Sequence, residues 1–172
     1  MKSEAEIKSR FGIPKIEGIK REELILKTND KYIPGTYEED YYCNENSFKF
    51  CLVKEGDQVP IEPIFSMDFF KAGTGMQSLR KEIPYIRLVL LYVHKDSLGK
   101  KGIATYYMNK LVQYAKEEGI TQIKVHPNPN ADNFKKDKKE NALKKDDLIS
   151  FYKKFGDKEI KIEIESLSAP LN

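Results

Sequence analysis

The 172-residue chain has no tryptophan, two cysteines and two histidines. Two cysteines in a chain this long, Cys43 and Cys51, do not make a disulfide framework. Both are expected as free thiols, buried as packing residues. His94 and His126 add no paired ligand spacing, so no metal is expected. No apolar run approaches the roughly 18 residues of a membrane helix. The longest, Leu88 to Val93, is strand-sized. Met1–Glu6 lacks the apolar segment of a secretory signal, and the expected location is cytoplasmic. One-signed charge is scarce as well. Thirty basic residues stand against 27 acidic ones, for a net +3, where a dedicated nucleic-acid binder usually carries a strong basic excess. Two nucleotide motifs are missing. No Gly-x-x-x-x-Gly-Lys-Ser/Thr occurs, and Gly73-Thr74-Gly75 lacks the third glycine of a dinucleotide fingerprint.

What the chain does have is apolar and aromatic content. Ten tyrosines, nine phenylalanines and 40% hydrophobic residues are too many for a solvated coil. A single domain spanning 1–172, with a sizeable core, is expected. No internal repeat is present. Residues 3–11 read as a short helix, with Ser3 and Glu6 in a capping-box pattern and Gly12 at the stop. Leu24-Ile25-Leu26 fits a buried strand or a helix turn. Residues 32–43 mix Pro34-Gly35 with acids and tyrosines and read as irregular or weakly helical. Strand signals begin at Ser47, and 47–53 and 61–70 form a predicted hairpin around Glu55-Gly56-Asp57. Residues 85–94 are the best strand. Alternation puts Val89, Leu91 and Val93 on one face and Ile86, Leu88 and Leu90 on the other, the pattern of a covered central strand. A long helix is predicted over 102–118, with Ile103, Tyr107, Leu111, Tyr114 and Ala115 on one face. A strand at 121–126, an amphipathic helix at 146–155 and an alternating strand at 158–165 complete an α/β domain. Residues 128–145 read as an exposed lysine-rich insertion; the stretch 135–145 alone holds six lysines.

The segment 85–104 carries the most chemical information. A buried strand runs through Ser97-Leu98-Gly99-Lys100-Lys101-Gly102 into a helix. The first turn of a helix has unpaired N–H groups and the positive end of its dipole. Glycines let backbone approach a phosphate, and two lysines add charge at the mouth. A plain strand–helix connection with lysines for solubility fits the same residues equally well.

Val93, Gly99-Lys100-Lys101-Gly102-Ile103-Ala104 resembles the acetyl-CoA pyrophosphate loop of the GNAT superfamily of N-acetyltransferases, Gln/Arg-x-x-Gly-x-Gly/Ala after a central strand. Gly102 and Ala104 match its small positions, while Gly99 replaces the Gln or Arg. Phe151-Tyr152-Lys153-Lys154-Phe155-Gly156 is similar to the family's Phe-Tyr-x-x-x-Gly-Phe, with Asp157 in place of the final Phe and Lys145 where the family has Asn. The resemblance covers about residues 47–165. It implies a mixed, mostly antiparallel central sheet with flanking helices and a splayed central strand pair. Residues 1–46 would supply the first strand and two helices.

The resemblance also implies a mechanism. Acetyl-CoA is the co-substrate, its pantetheine bonded to backbone at Leu91, Tyr92 and Val93. Its pyrophosphate rests on Gly99, Lys100, Lys101, Gly102, Ile103 and Ala104. A primary amine, on a small molecule or peptide, attacks the acetyl carbonyl directly. Tyr152 is the implied general acid, since a phenol is protonated at neutral pH; packing in the core is its alternative role. His126, His94, Glu62 and Asp68 are candidate bases. The run Glu38-Glu39-Asp40 either attracts a cationic amine or is a solvated face. No membrane partner is expected, nucleic acid is disfavoured, and a homodimer fits the family's habit. Two other functions compete. One is a catalytically silent GNAT-like domain that binds a CoA ester or a protein. The other is a nucleic-acid module built on Lys135–Lys145, whose signature would be salt-sensitive binding.

Overall fold

Period-two burial organises the chain around one sheet. The computed structural model describes residues 2–73, 83–99, 101–127 and 145–165. The sheet strands are β1 (Leu24–Lys27), β4 (Ser47–Gly56), β5 (Val59–Ala72), β6 (Tyr85–Val93), β7 (Gln122–Val125) and β8 (Lys161–Ile164), lying side by side in that order. From β1 to β6 the pairing is antiparallel; β6–β7 and β7–β8 are parallel. Parallel neighbours need crossovers, and helices α2 (Ile103–Glu117) and α3 (Lys145–Lys153) supply them. The sheet is therefore mixed and the domain α/β. Among the described residues no helix is long and apolar enough to cross a membrane.

One face of the sheet carries the main core. Helix α1 (Lys2–Arg10) contributes Ile7, and Phe11 follows it into the core just before Gly12, which has a positive φ of 66°. Helix α2 adds Tyr107, Leu111 and Tyr114, and α3 adds Tyr152. Aromatic rings dominate the contact. Phe65 stacks on Tyr107 with centroids 4.5 Å apart, and Phe11 stacks on Phe69 at 5.4 Å. Tyr106 and Tyr107 also donate their hydroxyls to the carbonyls of Phe11 and Gly12, at 2.7 and 3.0 Å. These bonds fix the end of α1 against α2. Arg10 strengthens the junction by reaching Glu117 and Glu118 of α2's C-terminal end, both at 2.7 Å.

The other face is covered differently. Residues 32–43 are irregular only over 33–38, and none of them is helical. Strands β2 (Asn29–Tyr32) and β3 (Glu39–Tyr42) make a two-stranded antiparallel hairpin. Its Ile33 and Tyr41 pack on Cys51 and Val53 of β4. The sequence pattern hides this hairpin because Asp40 sits in the middle of β3 with a φ of 61°, a conformation that breaks alternation. Residues 2–46 hold one α-helix, not the two that the resemblance implies; a short 3-10 turn at Arg21–Glu23 precedes β1.

Strand β6 departs from its simple alternation. Asp68 pairs with Leu90 and Phe69 pairs with Leu88, which leaves Val89 as the extra residue of a β-bulge. Val89 is 55% exposed. The bulge reverses the phase of the strand. Ile86 and Leu88 before it, and Leu91 and Val93 after it, all reach the helix-side core. Leu90 and Tyr92 turn to the hairpin side. The expected grouping of Ile86 and Leu88 with Leu90 is therefore corrected by one inserted residue. A second bulge leaves Ile64 of β5 unpaired beside Pro63, a place where a strand tolerates proline.

Candidate functional site

The bulge marks a change in how β6 is held. Before it, Ile86, Arg87 and Leu88 pair with Ile123, Lys124 and Val125 of β7. After it, pairing on the β5 side continues to Val93. Among the described residues the β6–β7 ladder ends at Leu88 and Val125. A bulge bends its strand and increases the local twist, a physical reason for two strands to part there. Leu91, Tyr92 and Val93 thus lie on the stretch of β6 where only one neighbour is laddered. All three are half-buried. Leu91 and Val93 lean on the core, and Tyr92 meets the His94 ring edge-on at 4.8 Å.

The chain then turns through a 3-10 segment, Asp96–Leu98, with Leu98 buried as its anchor. Gly99 continues in right-handed conformation. A Cβ there would lie 3.3 Å from the Asp96 carbonyl oxygen, so this turn crowds the side chain that Gln or Arg would bring. Gly102 is left-handed, φ 81° and ψ 9°, and heads α2 without a side-chain cap. Only glycine adopts that conformation without strain. The N–H groups of Ile103, Ala104 and Thr105 therefore open the helix uncapped, with no acidic residue in the first turn. Lys101 is exposed and reaches Glu17 at 3.4 Å. Lys100 and the lysine-rich stretch 128–144 lie outside the described residues.

Tyr152 lies on α3 in the core, 8% exposed, its ring 5.3 Å from that of Phe151. Burial pushes its phenol up to about 12. The hydroxyl stays protonated at neutral pH, which both a proton donor and a packing residue satisfy.

The candidate bases separate clearly. His126 is exposed after β7. Glu62 is ion-paired with Lys95. His94 belongs to a chain of polar contacts that no sequence spacing announces. Its Nε2 lies 2.7 Å from Ser66 Oγ, which lies 3.2 Å from the Tyr41 hydroxyl. Burial holds the imidazole down at about 4, so it is neutral at physiological pH. Asp68 stands two residues along β5 from Ser66 and opposite Leu90. Burial raises its carboxyl to about 6, against a pull downward from Lys49.

The remaining candidates are structural. Glu38 pairs with Lys49, and Glu39 and Asp40 with Lys31, so the acidic run is a locally paired face. Cys43 and Cys51 are free and buried, and burial pushes both thiols up to about 12. Among the described residues no group of three His, Cys, Asp or Glu side chains could hold a metal ion. No protein-family model, curated protein or solved structure matches the chain.

Proposed function

We propose that the protein is an acetyl-CoA-dependent N-acetyltransferase with a GNAT-like fold, acting on a primary amine by direct attack. The observation that carries this reading is the bulge at Val89, where the β6–β7 ladder stops while β6 runs on toward a glycine-headed helix. Strand order and the two parallel crossovers support it further.

The residues present fit a pyrophosphate. Uncapped amides of Ile103, Ala104 and Thr105 point out of the start of α2, Gly102 brings the backbone close, and the dipole favours an anion. Lys100 and Lys101 add charge. The backbone of Leu91, Tyr92 and Val93 has an edge on the β7 side for the pantetheine amides. Bound acetyl-CoA supplies the activated acyl group; the chain orients it and manages the protons. Tyr152 is the proposed donor to the departing sulfur.

A catalytically silent domain that binds a CoA ester or a protein partner is the second reading. Gly99 in its tight turn and the burial of Tyr152 favour it.

Calorimetric titration with acetyl-CoA and with free CoA tests the proposal. Saturable binding, weakened by Lys101→Ala and Lys100→Ala, is the expected result. An amine screen then separates the readings, with Tyr152→Phe expected to lower turnover. No binding at any accessible acetyl-CoA concentration would sink both the enzyme and the silent CoA-binding domain.

A further inference from the structure

We propose that Asp68 is the proton acceptor for the attacking nucleophile, an inference that rests on the function proposed above. Two geometric facts carry it, taken with the ligand path proposed above. If the pyrophosphate end of the ligand sits at Gly99–Ala104 and its arm follows Val93 back to Leu91, the thioester reaches β6 beside the bulge. Asp68 is the cross-strand partner of Leu90, the residue adjoining that bulge. Its side chain stands on the hairpin face, away from the helices, where Leu90 and Tyr92 also turn.

The neighbours leave this carboxylate available. Lys49, opposite Asp68 on β4, has a side chain only 14% exposed. Its ammonium is engaged by Glu38 Oε2 at 3.0 Å and the Glu39 carbonyl at 2.6 Å, and it lies 5.3 Å from the centre of the Tyr41 ring. Glu38 opposes ionisation of Asp68, and Lys49 only partly offsets burial. The Cys43 thiol, from the turn before β4, is held protonated. Ser66 and the neutral His94 continue the polar row along the sheet. A carboxyl that titrates near 6 in this setting is ionised at pH 7 and basic enough to take a proton.

The step balances simply. The nucleophile's N–H, or O–H when water attacks, gives its proton to Asp68. A bond forms to the acetyl carbon, the C–S bond breaks, and the sulfur leaves as thiolate and takes a proton from Tyr152, which is reprotonated from solvent as Asp68 releases its own.

Water as nucleophile makes the test independent of the unknown amine. Thiol release from acetyl-CoA, without added acceptor, is followed over about pH 5 to 8 beside calorimetric binding. The native rate is expected to rise as Asp68 deprotonates near pH 6. Asp68→Asn should bind acetyl-CoA unchanged, release thiol about 100-fold more slowly, and lose that limb of the profile. Asp68→Glu should retain part of the rate with the limb displaced. An Asp68→Asn protein with native rate and profile overturns the inference. So does a native protein that binds acetyl-CoA yet releases thiol no faster than buffer, an outcome that leaves the binding reading intact. Failure of the native protein to bind acetyl-CoA overturns both. Where Asp68→Asn does not fold, Asp68→Glu decides, and an unmoved limb overturns the inference.

Discussion

The two faces of the sheet are built from different materials. The helix side is a continuous packing of rings and aliphatic chains, with Phe11, Phe50, Phe65, Phe69, Tyr107 and Tyr114 in mutual contact. The hairpin side buries polar groups: Tyr41, Ser66, His94, Asp68 and Lys49 lie beneath or beside β2–β3. Apolar burial is favourable in itself, at roughly 25 cal/mol per Å². Buried polar groups cost free energy unless they are partnered. The helix side thus accounts for most of the stability. On the hairpin side Tyr41, Ser66, His94 and Lys49 are partnered, and Asp68, whose burial Lys49 only partly offsets, is the group that calls for another reason; proton transfer is the reason proposed.

Breaking the helix side should have the largest effect. Tyr107→Ala removes the stack on Phe65 and the bond to the Gly12 carbonyl. Denaturant titration should show a loss of about 4 kcal/mol. The hairpin side should respond to pH instead. Asp68 has a folded pKa raised above that of the unfolded chain. Its contribution is fully present below about pH 4 and is lost as pH rises through about 6. Asp68→Asn should therefore flatten that part of the stability profile and gain up to about 2 kcal/mol at neutral pH relative to native. A native-shaped profile in the variant would show that Asp68 is not the titrating group. Ser66→Ala comes next, at about 1.5 kcal/mol, because Tyr41 and His94 lose the hydroxyl between them. The imidazole signals of His94 in NMR should move with it. Smallest is Gly102→Ala, at about 1 kcal/mol. Nothing crowds a Cβ there, so the cost is the left-handed backbone alone. A larger loss of acetyl-CoA affinity than of stability in that variant would tie the turn to the ligand.

Legibility in the sequence follows the same division. Strands β4, β5 and β8 and helix α2 are visible because one of their faces is apolar at the right period, and β6 because both of its faces are. The turn at Gly102 is visible because only glycine suits it. The hairpin β2–β3 is not, since a positive φ at Asp40 and a loop through Pro34-Gly35 erase its alternation. The Tyr41–Ser66–His94 contacts join residues 25 and 28 positions apart. No local pattern encodes such a meeting; strand register creates it. Asp68 was legible as a candidate by its strand alone, and its place beside the bulge required the pairing.

Val89 has a consequence for how this chain can vary. Upstream of it, even-numbered positions of β6 face the helices; downstream, odd-numbered positions do. Deleting that one residue would leave every other side chain of β6 on its own face, because Phe69–Leu88 and Asp68–Leu90 are already successive pairs. What would go is the bend: Leu90 would follow Leu88 in plain alternation, and the local reason for β6 to part from β7 would go with it. A conservative exchange of Val89 for another exposed residue should pass almost unnoticed, whereas its loss should spare the core and straighten the strand.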